Sequence, residues 1–285
     1  MPFGFSQRNK KKLSTINKEL NYARRERTKV MKIISYNVNG IRSAMSKGLI
    51  NFMQSENADV YCLQETKANK EQINEPFIFE AAGYKNNYWF SAEKKGYSGV
   101  ALFCKNEPDH VEYGFGVPEF DNEGRIIRAD YGSKSIISVY IPSGSSGEER
   151  QAFKMNWLAF FQDYINELKS KKQELIICGD YNIVHKPIDI HDPVGNKNSS
   201  GFLPEEREWL TQFMDNGFID TFREFNKAPH QYSWWTYRAG ARGNNKGWRI
   251  DYCMVAEALR NNLVDAGIMQ QIVHSDHCPV WVEVK

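Results

Sequence analysis

The run Leu175-Ile176-Ile177-Cys178-Gly179-Asp180-Tyr181-Asn182 decides how this chain is read. Leu175 to Cys178 make a short apolar strand with Ile-Ile at its centre, Gly179 ends it with a backbone that can turn sharply, and Asp180 and Asn182 follow. Two residues apart in an extended segment, a carboxylate and a carboxamide project on one side and face the same point. That pairing suits attack on a phosphate diester: one group positions the nucleophile, and a neutral donor meets the developing negative oxygen. Alone, an Asp and an Asn after a strand are more often turn and cap residues. The weight therefore falls on the rest of the chain.

Lys32-Ile33-Ile34-Ser35-Tyr36-Asn37-Val38-Asn39 has the same shape, a β-rich run ending in a polar pair, with Gly40 as the turn. Asp59-Val60-Tyr61-Cys62-Leu63-Gln64-Glu65 is a further strand that ends in a carboxylate. The strands at 33–38, 60–65 and 175–180 all deliver polar residues at their C-terminal ends, where open α/β sheets assemble their sites. Between 84 and 141 lie five consecutive strand-like runs separated by Gly, Asn, Asp and Pro, and their short turns predict antiparallel pairing. Glu148 to Lys171 is a long helix whose stripe of Phe153, Trp157, Phe160, Phe161, Tyr164, Ile165 and Leu168 reads as core packing. Pro204 opens another helix, Glu205 and Glu206 favour its N-terminal dipole, and Gly217 closes it.

With 285 residues, 41% hydrophobic and 25% charged, the chain can bury a sizeable core as one large α/β domain or two small ones. Its five cysteines are odd in number, widely spaced and set in apolar runs, which points to reduced thiols in a cytosolic protein. There is no apolar run of membrane-spanning length and no ordered secretory signal, so a cytoplasmic protein without a membrane partner is expected, nucleoid-associated through DNA if bacterial. The net charge of +2 hides an asymmetry: residues 1–30 hold nine Lys or Arg against two Glu, about +7, and leave about −5 for the remainder. Three readings of this arm are open: a disordered tail or upstream extension of a chain that starts at Met31, a non-specific nucleic-acid contact, or a presequence.

The last third is aromatic and basic, with Tyr232-Ser233-Trp234-Trp235-Thr236-Tyr237-Arg238, a Gly- and Asn-rich tip, and Trp248-Arg249-Ile250-Asp251-Tyr252. It is either a nucleic-acid contact or an ordinary exposed hairpin. Ser275-Asp276-His277 leads into the final strand. Together the strand ends offer Asn37, Asn39, Glu65, Tyr140, Asp180, Asn182, Asp251, Asp276 and His277, a set rich in oxygen ligands and without a cysteine pair. Magnesium fits it better than zinc, since it takes oxygen ligands, needs one or two carboxylates and leaves positions for water and phosphate.

These blocks, with Leu63-Gln64-Glu65-Thr66-Lys67, Gly96-Tyr97-Ser98-Gly99-Val100, Gly195-Asn196-Lys197 and Gly201-Phe202-Leu203-Pro204-Glu205-Glu206-Arg207, carry a resemblance. From Met31 to Lys285 the chain resembles the exonuclease III family of abasic-site endonucleases, in the superfamily that includes deoxyribonuclease I. The resemblance implies a four-layer α/β sandwich, two mixed sheets face to face with helices outside. It implies a Mg²⁺-dependent phosphodiesterase, with Mn²⁺ able to substitute, that cuts 5′ to abasic sites in double-stranded DNA and clears blocked 3′ ends as a monomer. Glu65 would be the main metal carboxylate, with Asn37 and Asn39 holding the metal's water shell or the Asp180 region and Asp276 a further ligand. Asp180 would activate the water, Asn182 and Tyr140 stabilise the transition state, and His277, oriented by Asp251, bind the scissile phosphate. Trp234, Trp248 and Ile250 would line a pocket for a flipped, baseless sugar. Asn196 and Lys197 would contact the backbone, and Arg238, Arg242, Lys246 and Arg249 would make one face positive.

The chain departs from its relatives at several of these positions. Asn39 stands where some carry Asp, Ser143 and Ser199 where many carry amides, Trp234 where some carry Phe, and Ser146 and Arg238 where certain relatives insert Arg and Met through the helix. Two other readings are carried beside this one: a phosphatase or lipid phosphodiesterase of the same superfamily, and a binding protein on an inactive nuclease fold.

Overall fold

The computed structural model describes residues 30–75 and 77–285; the basic arm up to residue 29, with the readings attached to it, lies outside the described residues. In chain order the strands are β1 (Met31–Asn37), β2 (Val60–Gln64), β3 (Asn86–Phe90), β4 (Val100–Cys104), β5 (His110–Tyr113) and β6 (Ile126–Tyr131). They continue with β7 (Lys134–Tyr140), β8 (Glu174–Asp180), β9 (Phe218–Asp220), β10 (Asp251–Ala256), β11 (Leu263–Ile268) and β12 (Val280–Val284). One sheet has the order β11-β12-β1-β2-β4-β3 and the other β5-β6-β7-β8-β10-β9. Both sheets are mixed, with β1 and β2 parallel in one, β7 and β8 parallel in the other, and the remaining neighbours antiparallel. The order of pairing senses is the same in the two sheets.

The β-rich region between 84 and 141 pairs antiparallel as expected, but not as one meander. β4 lies between β2 and β3, and β5 does not extend the sheet past its edge strand β3 but pairs with β6 as the edge of the second sheet.

Three cores separate four layers. Between the sheets lies a core of small and β-branched residues, among them Ile33, Val60, Cys62, Leu102, Ile136, Ile176, Cys178, Cys253 and Val282. Outside the second sheet, the helices Glu148–Lys171 and Pro204–Asp215 pack an aromatic core around Trp157, Phe161 and Phe213. Outside the first sheet, helix Leu49–Glu56 brings Leu49, Phe52 and Met53 onto Ile34, Tyr36, Tyr61 and Phe103. Burying one such large side chain contributes roughly 1.5–3 kcal/mol. The helix Glu148–Lys171 has the expected bounds, but its buried face runs Lys154, Trp157, Leu158, Phe161, Ile165, Leu168, while Phe160 is 46% exposed.

Strand alternation sets where the site lies. On β8 the inward row is Ile176, Cys178, Asp180; on β1 it is Ile33, Ser35, Asn37; on β7 it is Ile136, Ser138, Tyr140; on β10 it is Val255, Cys253, Asp251. Each row is apolar in the middle of the sandwich and polar at one shared end. Gln64 links the sheets just below that end, donating from Nε2 to Ser138 Oγ at 3.0 Å. Register then aligns Tyr140, Asp180 and Asp251 across three neighbouring strands, and Asn37 with Gln64. Gly179 is required for a reason other than a turn: β8 continues through it, and a Cβ there would lie 1.8 Å from the Val139 carbonyl oxygen of β7.

Candidate active site

At the polar end of the sandwich Asp180 is buried and held from three sides. Its Oδ1 accepts the Asn182 backbone N–H at 2.8 Å, and its Oδ2 accepts Asn37 Nδ2 at 2.9 Å. The strand stops at Asp180, so Asn182 does not share a face with it by extension. A turn that puts Asn182 at φ 50° brings the two side chains together, with Asn182 Nδ2 2.9 Å from the Ile141 carbonyl oxygen and 3.4 Å from Asp180 Oδ2. Burial pushes the Asp180 carboxyl up to about 7, Asp251 and Glu65 add to it by repulsion, and His277 opposes it. Asp180 is thus poised near neutrality, as a general base needs.

Glu65 sits one residue past β2 at φ 49° and accepts from Asn37 Nδ2 at 2.8 Å. Burial would raise its carboxyl, but Lys67, 2.7 Å away, together with Asn37 and His277, holds it below the usual carboxylate value. Asn37 therefore gives both amide hydrogens to two carboxylates, and its Oδ1 accepts the Asn39 N–H at 3.0 Å. It holds the two carboxylates together while its own oxygen is turned to the Asn39 N–H. Asn39 likewise accepts from Lys67 and donates to Asp276 Oδ1 at 2.8 Å.

Asp276 has its own partners, Asn39 and Ser275 on Oδ1 and the Trp234 indole N–H on Oδ2 at 3.1 Å. Among the described residues, one group of His, Cys, Asp or Glu brings ligand atoms within 4.8 Å of one another, and it is Glu65, Asp180 and His277. Asp276 is outside it, committed to orienting Asn39 and Trp234.

His277 is buried, with Nδ1 2.9 Å from Asp251 Oδ2 and Nε2 3.9 Å from Asp180 Oδ2. Burial favours the neutral ring, but Asp251, with Asp180 and Asp276, outweighs it and raises the pKa to about 10. The ring is therefore an imidazolium at neutral pH and a poor metal ligand, which leaves oxygen donors. That donor set fits a hard cation. Ser233 Oγ donates to Asp251 Oδ2 at 2.7 Å and completes its orientation.

Tyr140 ends β7 beside this group. Burial and the nearby Glu65 and Asp180 carboxylates keep its phenol protonated far above its ordinary value, while the buried Arg125 guanidinium, 4.5 Å over its ring, opposes them.

A cleft of about 890 Å³ opens over these side chains. Glu65, Tyr140, Asp180, Asn182 and His277 form its floor, and Trp234, Trp248, Ile250 and Leu203 form an apolar flank. Trp234 and Trp248 meet edge to face at 5.8 Å, and backbone bridges tie Trp234 to Trp248 and to His277. Ser143, Ser145, Gln151, Asn198, Ser199 and Ser200 add polar groups to its lining.

The basic contacts need correction. Arg242 donates to the carbonyls of Ser275, Gln270 and Ile272 and lies 4.6 Å over Trp235, so it braces the His277 loop. Arg249 is fully buried against Asp189 and Asp220. Arg238, Lys246 and Lys197 are exposed, as is Tyr237 at 68%. Asn196 uses its amide on the carbonyls of His191 and Asp192, and the neighbouring Asn198 and Ser199 face the cleft instead. Lys67, Ser233 and Arg125 also shape the site, and of the three Lys67, two residues from Glu65, has the clearest signal in the sequence.

The model of the Endonuclease/Exonuclease/phosphatase family matches residues 34–277. An exodeoxyribonuclease of Bacillus subtilis is 45% identical over 253 residues, covering 88% of this chain and 98% of the relative. A DNA repair nuclease, APEX1, of Danio rerio is 40% identical over 252 residues, with 88% and 81% covered. Among solved structures, the 3′ phosphatase NExo from Neisseria bound to a product DNA hairpin superposes with a TM-score of 0.82 at 25% identity, covering 90% of this chain and 99% of that one. The chain belongs to the endonuclease/exonuclease/phosphatase family.

Proposed function

We propose that this family member is a magnesium-dependent DNA phosphodiesterase of base excision repair, cutting 5′ to abasic sites to leave a 3′-hydroxyl and removing blocking groups or nucleotides from 3′ ends. The observation that carries the reading is the adjacency, in one cleft, of the Glu65, Asp180 and His277 group and the apolar flank of Trp234, Trp248 and Ile250. The polar group suits a phosphate, and the flank suits a sugar that has lost its base and left the helix.

Bound at Glu65, a magnesium ion would supply charge to neutralise the phosphate and the departing oxygen. The remaining work falls to the chain. Asp180, ionised, takes the proton of the attacking water, and Asn37 and the Asn182 N–H keep its carboxylate aimed. Asn182 Nδ2 and the protonated Tyr140 hydroxyl donate towards the oxygens on which charge develops. His277, held cationic by Asp251, meets a phosphate oxygen. The double-stranded substrate would be met outside the cleft by Arg238, Lys246 and Lys197, whose exposed charges bind phosphates without regard to sequence. Five free, buried thiols accord with a reducing cytoplasm.

The test is a 5′-labelled duplex with one stable abasic analogue, beside an undamaged duplex with a recessed 3′ end, each with Mg²⁺ or EDTA. One Mg²⁺-dependent cut at the lesion is expected. A ladder from the 3′ end without a lesion cut would leave a 3′-end processing enzyme whose pocket rejects the sugar, and no cut on either duplex would end the reading.

A further inference from the structure

We infer that the buried ion pair Lys154–Glu206 is a positioning device that ties the Asn182 turn to a loop lining the cleft, so that the phosphate donor and the sugar pocket keep one geometry. The inference rests on the phosphodiesterase reading above. Lys154 Nζ lies 2.6 Å from Glu206 Oε1, and both side chains are 0% exposed. Lys154 occupies a core position of the helix Glu148–Lys171, three residues before Trp157, and Glu206 lies in the first turn of the helix Pro204–Asp215.

An ion pair in such a place is a poor way to join two helices. Taking two charges out of water costs several kcal/mol per ion, and an apolar pair of similar volume usually serves stability as well or better. Burial draws the Lys154 ammonium towards neutrality, against the attraction of Glu206 and Asp180.

What an apolar pair would not supply is what each charge does beyond the pair. Lys154 Nζ donates at 2.8 Å to the carbonyl oxygen of Asn182, the residue held at positive φ with its amide over Asp180. Glu206 Oε2 accepts the backbone N–H of Gly201 at 2.6 Å and of Leu203 at 3.0 Å, while Oε1 accepts from Gln151 and Ser200.

The loop so held, residues 199–203, lines the cleft. Its Gly201 is pressed between the two parts being joined: a Cβ there would meet the Trp248 ring at 3.0 Å and the Asn182 carbonyl oxygen at 3.2 Å. Directly beneath, the Val184 N–H donates to the Gly201 carbonyl at 2.7 Å. One buried pair thus grips both sides of a narrow seam between Asn182 and the pocket.

The test is the double variant Lys154→Met/Glu206→Leu, which removes both charges and leaves neither one orphaned. Its melting temperature should fall, because the N–H groups of Gly201 and Leu203 and the Asn182 carbonyl lose their partners, so rates are compared at a temperature where both proteins are fully folded. Its kcat on the abasic duplex should fall about ten- to a hundredfold, with the larger part of the loss in kcat and not in KM. Exchange of the Val184 amide should accelerate at least about tenfold, while amides of β4 stay as in the parent.

Lys154→Met/Glu206→Gln is the second variant. It cuts the Asn182 tether without leaving a buried charge, and the new carboxamide oxygen can still accept from Gly201 and Leu203, so it should be the more stable of the two and show the same two changes more weakly. A purely structural pair predicts parental kcat at temperatures where the variants remain fully folded. Parental kcat or parental Val184 protection in the first double variant overturns the inference. If the parent itself leaves the abasic duplex uncut, the function reading falls, and Val184 exchange still decides the coupling.

Discussion

After β1 the chain runs Asn37-Val38-Asn39 and after β8 it runs Asp180-Tyr181-Asn182, and the two turns are built alike. In each, the third residue, an Asn, takes a positive φ, 44° and 50°, and gives its N–H to the side-chain oxygen of the first residue, at 3.0 and 2.8 Å. Their first residues then meet across the sandwich, Asn37 Nδ2 on Asp180 Oδ2. The turns differ there by an amide in place of a carboxylate oxygen. The amide has two hydrogens to give and binds Glu65 and Asp180 together; the carboxylate, buried among other acids, is raised to about 7. The backbone device fixes where a group stands, and one atom fixes what it does. A left-handed Asn is tolerable in such turns because its short side chain bonds locally.

The hardest way to break the comparison is to make the turns chemically the same. Asp180→Asn should lower incision of the abasic duplex by at least about a thousandfold at saturating magnesium, since the neighbouring carboxylates Glu65 and Asp276 are held below the ordinary value and are weaker bases than Asp180. The fold should not suffer. A carboxyl raised in the folded state destabilises it increasingly as pH rises from the ordinary Asp value to about 7, so the parent's melting temperature should decline across that window and the variant's should not. Incision within tenfold of the parent would mean that the two turns are equivalent scaffolds and that the base lies elsewhere.

A smaller effect should come from the strand beside Asp180. Asp251 outweighs burial and keeps His277 protonated, with a pKa of about 10. Because that value lies above the unfolded one, the contribution to stability is full below about pH 6.5 and is lost as pH rises through 10. In Asp251→Asn the imidazolium loses its partner, so the alkaline limb of the pH–rate profile should move towards neutral pH. At pH 8 the rate should fall about ten- to a hundredfold, with less loss at pH 6. A uniform loss across pH 6–10 would assign Asp251 to holding the loop and not to charging His277.

How far the site could be read from the sequence follows from the same contrast. Strand ends are local: an apolar run, a period of two and a polar pair put Asn37, Glu65 and Asp180 at the C-terminal ends of three strands. Their partners are not local. Nothing near Asp276 in the sequence says that its carboxylate is taken by Asn39 and Trp234, which lie 237 and 42 residues away. Two of the three arginines assigned to a positive face, Arg242 and Arg249, failed for a related reason, since charge is visible in sequence and burial is not. Arg249 follows an aromatic in an exposed-looking stretch, yet Asp189 and Asp220 enclose it from 60 and 29 residues away. Lys154 was readable in principle. A lysine three residues before Trp157 and seven before Phe161 sits on the helix's buried face, and a charge there needs a partner.

The smallest expected effect lies at the outer residue of the first turn. Asn39→Asp adds a negative charge next to Lys67 and near the Glu65 carboxylate, and it removes the amide that donates to Asp276. The two consequences act on different quantities. One further charge about 4 Å from a cation in a solvated cleft is worth on the order of 1 kcal/mol, so half-saturating magnesium should fall about fivefold. The lost donor loosens Asp276, which orients Trp234 by a single hydrogen bond worth about 1 kcal/mol, so the rate at saturating magnesium should drop by no more than about threefold. Titrating magnesium against incision separates the two. Tighter metal with a nearly unchanged maximal rate would place Asn39 on the metal's side of the cleft. Unchanged metal affinity with a larger loss of rate would place it with Asp276 and Trp234, as part of the pocket wall, and the likeness of the two turns would then end at their backbones.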